Sequence, residues 1–358
     1  MKIAIFHDSL DSIGGGEKVV LILAKKLKAD LITTNLNKEH IKRLNFEDVN
    51  IISLGNTIKI PPIKQIHSSI KFAKCNFKDK YDFFIFSGNW AVFSAKKHKP
   101  NLWYCYTPVR VFYDLYDEFK KGCSLFVKPI FIFYVYIHKK FIEDYIKYIN
   151  NIITISINSK NRLTKYHNKE SKIIYPPVFN YPYKKNGDFW LSVNRLYPQK
   201  RISLQLDLFK ELANEKLVIV GGYAKGDHSQ RYVKKYLKNP PKNVCFLGNV
   251  TEKELSKLYS ECKAFITTAQ DEDFGISAVE AMAAGKPVVA INEGGYKESI
   301  IDGVTGRLVN NLNINELEFA IAKISKKPEN YRIACEKRAK KFSIEEFIKK
   351  IKKEINWK

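Results

Sequence analysis

Short apolar runs alternate with amphipathic stretches along almost the whole chain. Lys2–His7, Leu31–Asn35, Asn50–Leu54, Asp82–Ser87, Leu102–Tyr106 and Ile152–Ser156 have the length and composition of buried strands. Glu17–Leu27 has the helical period between the first two. Tyr175–Gly187 then interrupts the pattern with three prolines and a glycine in 13 residues, which predicts a linker. A second series follows. Strands are predicted at Phe189–Asn194, Leu217–Gly221, Val244–Leu247, Ala264–Thr267 and Pro287–Ile291, with helices near 202–213, 229–238, 252–262 and 276–284. Such β/α alternation predicts two consecutive Rossmann-like α/β domains, each a mainly parallel sheet covered on both faces, with a cleft between them.

The chain's 358 residues fit two domains better than one. With 45% hydrophobic and 27% charged residues it is globular rather than disordered. Met1-Lys2 leads straight into an apolar strand, and no run reaches the roughly 18 apolar residues of a spanning helix. The expected location is cytoplasmic. Six scattered cysteines form no Cys-x-x-Cys pair and no metal-ligand spacing, so they are expected to be reduced and no metal site is expected. The net charge of +24 implies an anionic partner: nucleic acid, anionic lipid headgroups or a phosphorylated small molecule. A nucleic-acid-binding protein would need a recognisable motif or an aromatic-basic platform, and neither is found.

The segment Glu272-Asp-Phe274-Gly275-Ile276-Ser277-Ala-Val-Glu280 follows a predicted strand. Gly275 lets the chain pass close to a ligand. A helix starting near Ile276 or Ser277 and ending at Gly285 turns its first N–H groups toward the sheet's carboxyl edge, where an anion or a polar sugar can be held. Glu272 and Glu280 then flank one site at different depths. Two solvated acids would give the same spacing; the strand–loop–helix setting favours a site.

Upstream, Arg195 and Lys200 lie five residues apart at a strand exit, in Ser192-Val-Asn-Arg195-Leu-Tyr-Pro-Gln-Lys200-Arg201. Two cations there can neutralise a diphosphate, with Arg as a fork and Lys as a point charge. The Gly221-Gly222 pair ends a strand where backbone approaches a nucleotide. Gly248-Asn249-Val250-Thr251 opens a helix with Thr251 and Glu254 as a capping box. In the first half, Gly14-Gly15-Gly16-Glu17 lacks the spacing of a dinucleotide fingerprint.

These segments resemble the large GT-B glycosyltransferase family 4, which carries a Glu-x7-Glu motif written around Glu-Gly-Phe-Gly. This chain has Glu272-Asp273-Phe274-Gly275 and Glu280, and departs at the second position. The resemblance implies a retaining, metal-independent transfer with a nucleotide-diphosphate-sugar as co-substrate and no other cofactor. It implies that Glu272 contacts the transferred sugar, Glu280 the ribose, and Arg195 with Lys200 the diphosphate. The loop at Asn249 and Val250 would cup the base, and Gly15 and Gly16 would face the diphosphate and acceptor. The Gly294-Gly295-Tyr296 loop is similar to that of GDP-mannose users, so mannose from GDP-mannose is the expected donor chemistry. A UDP-sugar-dependent glucosyl- or N-acetylglucosaminyltransferase is the alternative. The expected acceptor is a glycan or polyprenyl-linked glycan.

In Tyr104-Cys-Tyr106-Thr-Pro108-Val-Arg110-Val-Phe-Tyr-Asp114, Tyr106 stands where the family often has a histidine near the sugar. Its hydroxyl could supply one comparable hydrogen bond. Arg110, Asp114 and His7 are acceptor-side candidates; His7 could equally be a buried structural imidazole.

The expected domains are 1–178 for the acceptor, 179–335 for the donor, and a basic C-terminal helix over 336–358 packing back toward the first. That last stretch has nine Lys/Arg against four Glu. Finally, the aromatic, Lys-flanked stretch Leu125–Lys140 fits either a buried helix or one lying on an anionic membrane surface, which would make the protein peripheral on the cytoplasmic face.

Overall fold

A computed structural model of the chain describes residues 1–12, 14–222 and 238–356. The chain divides into two compact units, Met1–Tyr175 with Ile348–Lys358, and Pro176–Phe347.

The first unit is built on seven parallel strands: β1 (Ile3–Ser9), β2 (Asp30–Thr34), β3 (Ile51–Ser53), β4 (Phe83–Ser87), β5 (Asn101–Cys105), β6 (Asn151–Thr154) and β7 (Lys172–Ile173). Their order across the sheet is β3-β2-β1-β4-β5-β6-β7. Helices α1 (Gly15–Leu27), α2 (Lys38–Arg43), α3 (Ile63–Lys74), α4 (Tyr116–Gly122), α5 (Val127–Ile146) and α6 (Ile157–His167) connect them. Phe6, Phe72, Phe84, Phe86 and Trp103 are fully buried in its core. All five residues of β4 are buried, because helices cover both faces of a parallel sheet.

The second unit repeats the plan with β8 (Phe189–Val193), β9 (Lys216–Val220), β10 (Val244–Gly248), β11 (Ala264–Thr267), β12 (Val288–Ile291) and β13 (Gly306–Val309). The order is β10-β9-β8-β11-β12-β13, again parallel. Its described helices are α7 (Ile202–Glu211), α8 (Glu252–Glu261), α9 (Ile276–Ala283), α10 (Tyr296–Ser299), α11 (Ile314–Lys326), α12 (Arg332–Ala339) and α13 (Ile344–Glu354), the last running on into the first unit's C-terminal segment. The capping box at Thr251 and Glu254 forms as the sequence predicts. The helix expected at 229–238 lies almost wholly outside the described residues.

Two strands escape the sequence pattern, β7 and β13, being short and carrying a charge each. The single helix expected over 336–358 is broken. A 3-10 turn at Lys340–Phe342 separates α12 from α13, and the Ser343 hydroxyl accepts the Glu346 N–H at the start of the new helix. Residues 336–347 belong to the second unit.

In both sheets the chain first winds one way from the central strand and then the other. Each therefore has a topological switch point, between β1 and β4 and between β8 and β11. Ligands of open α/β sheets bind at the carboxyl ends of strands at such points.

Candidate active site

At the second unit's switch point, β8 delivers Arg195 just past its carboxyl end and β11 delivers the loop 268–275. A short 3-10 turn at Pro198–Lys200 and a left-handed Arg201 (φ 48°) bring the Lys200 chain back over β11. The Thr268 hydroxyl donates to the carbonyls of Lys200 and Arg201 at 2.9 and 3.1 Å. The Gln270 N–H donates to the Gln199 carbonyl at 2.7 Å. The two loops are thus sewn together through backbone.

Two ion pairs lie across this seam. Lys200 Nζ donates to Glu272 Oε2 at 2.5 Å, with both side chains about four-fifths buried. Arg201 grips both oxygens of Glu293 at 3.1 Å, and Glu293 also accepts the Asp271 N–H. Partly buried charge-assisted bonds of this kind fix geometry more than surface pairs do. Arg195 is exposed at the strand exit.

Helix α9 starts immediately after this loop. Its N-cap is Gly275 at φ 88°, and the structure gives no capping side chain there. A Cβ on Gly275 would meet the Tyr296 ring at 2.5 Å, so close approach as well as the positive φ demands glycine. Ile276 and Ser277 are half-buried at the helix's first turn. The helix ends as predicted at Gly285, in the left-handed region, with Gly285 and Lys286 N–H groups donating to Met282 and Ala281 carbonyls.

Glu280 is 5% exposed and sits inside α9. Tyr259 of α8 donates its hydroxyl to Glu280 Oε2 at 3.0 Å. Tyr181 stacks on Tyr259 at 4.9 Å and donates in turn to Glu252. Burial, then the Glu280 charge, pushes the Tyr259 hydroxyl well above the usual phenol range, so it stays a donor. Tyr181 and Tyr259 are the members of this site that the sequence reading missed: at helical and linker positions they look like ordinary core aromatics.

Several predicted residues have internal jobs. The Phe274 ring is buried edge-on against Phe342 at 5.2 Å, so what it presents outward is backbone. A Cβ on Gly221 would lie 1.9 Å from the Asn194 carbonyl, so that glycine is required by the neighbouring chain. Gly222 faces the Asn249 amide, which is exposed beside half-buried Val250. The Gly294-Gly295 pair is laid on the backbone of Glu272 to Phe274, with the Gly295 N–H donating to the Glu272 carbonyl at 2.7 Å. The Gly-Gly-Tyr sequence therefore shapes the Glu272 loop.

At the first unit's switch point, hydrogen bonds run from strand to strand. His7 Nδ1 lies 3.2 Å from Ser87 Oγ, Ser87 donates to the Tyr106 hydroxyl at 3.2 Å, and Tyr106 donates to the Gly16 carbonyl at 2.9 Å. His7 is buried. Burial raises the Tyr106 pKa, so the hydroxyl keeps its proton and stays a donor to the Gly16 carbonyl. The Gly15–Gly16 turn is thus held by Tyr106. Beside it, Asp8 caps the chain after β4 by accepting the N–H groups of Asn89, Trp90 and Ala91 at 2.8 Å. Arg110 and Asp114 pair with each other at 2.7 Å.

Among the described residues no group of three or more His, Cys, Asp or Glu side chains could hold a metal ion, and no helix is long and apolar enough to cross a membrane.

The arrangement fits the family whose description is glycosyl transferases group 1, which matches residues 179–342. The chain is similar to the alpha-1,3/1,6-mannosyltransferase ALG2 of Dictyostelium discoideum, with 27% identity over 92% of this chain and 91% of that one. It is 30% identical to the mouse GDP-Man:Man(3)GlcNAc(2)-PP-Dol alpha-1,2-mannosyltransferase over 49% of this chain and 42% of that one. The fold is that of Anabaena HepE in complex with UDP and glucose, at a TM-score of 0.78, 19% identity and full coverage of both chains. The chain is thus a glycosyltransferase of GT-B fold, similar in its second half to the glycosyl transferases of group 1 and over most of its length to a mannosyltransferase.

Proposed function

We propose that this glycosyltransferase moves mannose from GDP-mannose, with retention and without a metal, to a lipid-linked glycan. The observation that carries the reading is the Lys200–Glu272 pair at the switch point beside the first turn of α9. Lys200 and Arg195 receive the diphosphate, which takes over the role Glu272 plays for Lys200. Glu272 is then released to accept hydroxyl protons of the sugar. The α9 N–H groups add partial positive charge where the leaving group develops negative charge. Glu280, aimed by Tyr259, takes the ribose hydroxyls. Asn249, Val250 and Gly222 border the base. Gly15 and Gly16, held by Tyr106, are the first unit's candidates for substrate contact, and His7, Arg110 and Asp114 belong to the acceptor side.

Support for the donor and acceptor comes from the relatives named for mannosyl transfer and, in the mouse protein, for GDP-Man and a PP-Dol glycan. The test is calorimetry with GDP, UDP and ADP, followed by turnover of the matching mannose and glucose donors. GDP binding with mannose transfer is expected. Preference for UDP or for glucose donors overturns the donor assignment.

A further inference from the structure

Helix α5 buries only part of its circumference. Tyr134, Val135, His138, Ile142 and Ile146 face the first unit's core. His138 packs on Trp90 and Phe112 and lies 3.3 Å from Ser69 of α3, which places the two helices side by side. A helix at a protein surface normally turns polar side chains outward. This one does the reverse. Leu125 and Phe126, in the turn before it, are 84% and 88% exposed, and Phe133 is 67% exposed. Ile130, Tyr136 and Phe141 are exposed with them. At 100° per residue, Phe133 and Tyr136 fall opposite the buried arc, and Ile130 and Phe141 lie along one flank of it. On α3, Ile63, Ile66 and Ile70 recur at helical spacing and are exposed as well.

The charges on this face have one sign over its whole apolar length. From Leu125 to Ile142 the sequence holds Lys128, Lys139 and Lys140 and no carboxylate. The Lys140 ammonium lies over the Tyr136 ring at 4.5 Å and the Lys139 ammonium over the Tyr113 ring at 4.4 Å, so the positive charges sit directly beside the aromatic surface. Acidic residues begin at Glu143, which is taken up by His167, and at Asp144, which pairs with Lys147. Asp117 and Glu118 lie in α4, together with Lys120 and Lys121.

Exposed Phe, Leu and Ile interleaved with Lys, on a helix that cannot span, is the chemistry of an in-plane interfacial element. The aromatic and aliphatic groups suit the acyl boundary, and the lysines suit anionic headgroups. A protein partner of complementary charge would also meet the lysines. It would not explain so many unpaired apolar side chains surrounding them on a chain of net charge +24.

We propose that the exposed arc of α5, with the Leu125-Phe126 turn, docks the first unit onto an anionic lipid bilayer. This surface stands apart from the donor site. It is tested with the full chain and no sugar present, by flotation with vesicles of phosphatidylcholine alone or with 30% phosphatidylglycerol. Binding to the anionic vesicles at least tenfold tighter than to the neutral ones is expected, weakening as salt rises. Phe126→Glu/Phe133→Glu should lose binding tenfold or more while calorimetric GDP affinity stays unchanged. Lys128→Glu/Lys140→Glu should reduce binding to anionic vesicles only. Absence of binding by the native chain, or binding by both double variants as tight as the native chain's, overturns the proposal. So does a native dimer, seen by analytical ultracentrifugation, that Phe133→Glu dissociates, since a second copy would then be the occupant. Loss of GDP binding with intact vesicle binding would instead break the donor reading and leave the surface in place.

Discussion

At the carboxyl edge of the first sheet, a hydrogen-bond chain runs through an imidazole and two hydroxyls, from His7 to Ser87 to Tyr106 and into the Gly16 carbonyl. At the same edge of the second sheet, Lys200, Arg201, Glu272 and Glu293 are joined as ions. The scaffold is the same: a parallel sheet, a switch point, a glycine close to the turn. The difference teaches how one fold divides labour. A hydrogen-bonded edge built from hydroxyls holds a loop in one shape. A charged edge holds its cations in place with carboxylates, so under the proposed reading an incoming diphosphate would meet donors already aimed.

The largest effects should come from the charged edge. Lys200→Ala removes the point charge and is expected to lower kcat/KM for GDP-mannose about 100-fold or more, the usual scale for one preorganised charge donor. Circular dichroism should stay unchanged, since the pair is partly exposed and its loops are tied by backbone. Near-normal turnover would dissolve the contrast between the two edges. Tyr259→Phe comes next. Glu280 loses its aligned donor in a buried site, and the donor KM should rise about tenfold, corresponding to roughly 1.4 kcal/mol for a bond to a charged group. Steady-state kinetics separates this from a kcat effect. Tyr106→Phe should cost less, about fivefold in kcat/KM, because the Gly16 carbonyl loses a neutral partner. If Tyr106→Phe were the more damaging of the two, the first edge would touch the reacting atoms, and its role as a loop support would fall.

Much of this was readable in the chain. Phe83–Phe86 and Val288–Ile291 are unbroken apolar runs of strand length, as a strand buried on both faces requires. Gly306–Val309 was not, because a four-residue strand with a glycine and an arginine carries no period. The break at Phe342 hides behind a lysine-rich pattern, although Ser343 ahead of two glutamates is a helix-start signal. In the site, Lys200 and Glu272 stand out by motif, but their bond spans 72 residues and only folding reveals it. Tyr259 was invisible as a site residue because an aromatic on the buried face of an amphipathic helix is what packing alone would select. Gly294 and Gly295 stand out in the sequence as a loop similar to that of GDP-mannose users, whereas the close backbone of Glu272 to Phe274 explains them without a ligand.

The smallest effect separates the units by pH. In the first unit His138 is buried among Trp90, Phe112 and Tyr134, and burial lowers its pKa from 6.5 to about 4. In the second, burial lowers Lys286 from 10.5 to about 8, where it donates to Asn186 and lies over the Tyr183 ring. Both groups are harder to protonate folded than unfolded, so each favours the folded state more as pH rises through its own window. For His138 the unfolded chain takes the proton first. Its contribution is complete above about pH 6.5 and is lost as pH falls toward 4. For Lys286 the cost of a buried ammonium is fully present below pH 8 and is relieved between about 8 and 10.5. Thermal melts from pH 7 to pH 4 should therefore show a shallower fall for His138→Gln than for the native chain, although the variant melts lower at pH 7. Lys286→Met should leave the acid branch unchanged and flatten the rise between pH 8 and 10. A parallel acid branch in native chain and His138→Gln would mean that carboxylates alone carry the acid sensitivity, and that the two units do not differ in this respect.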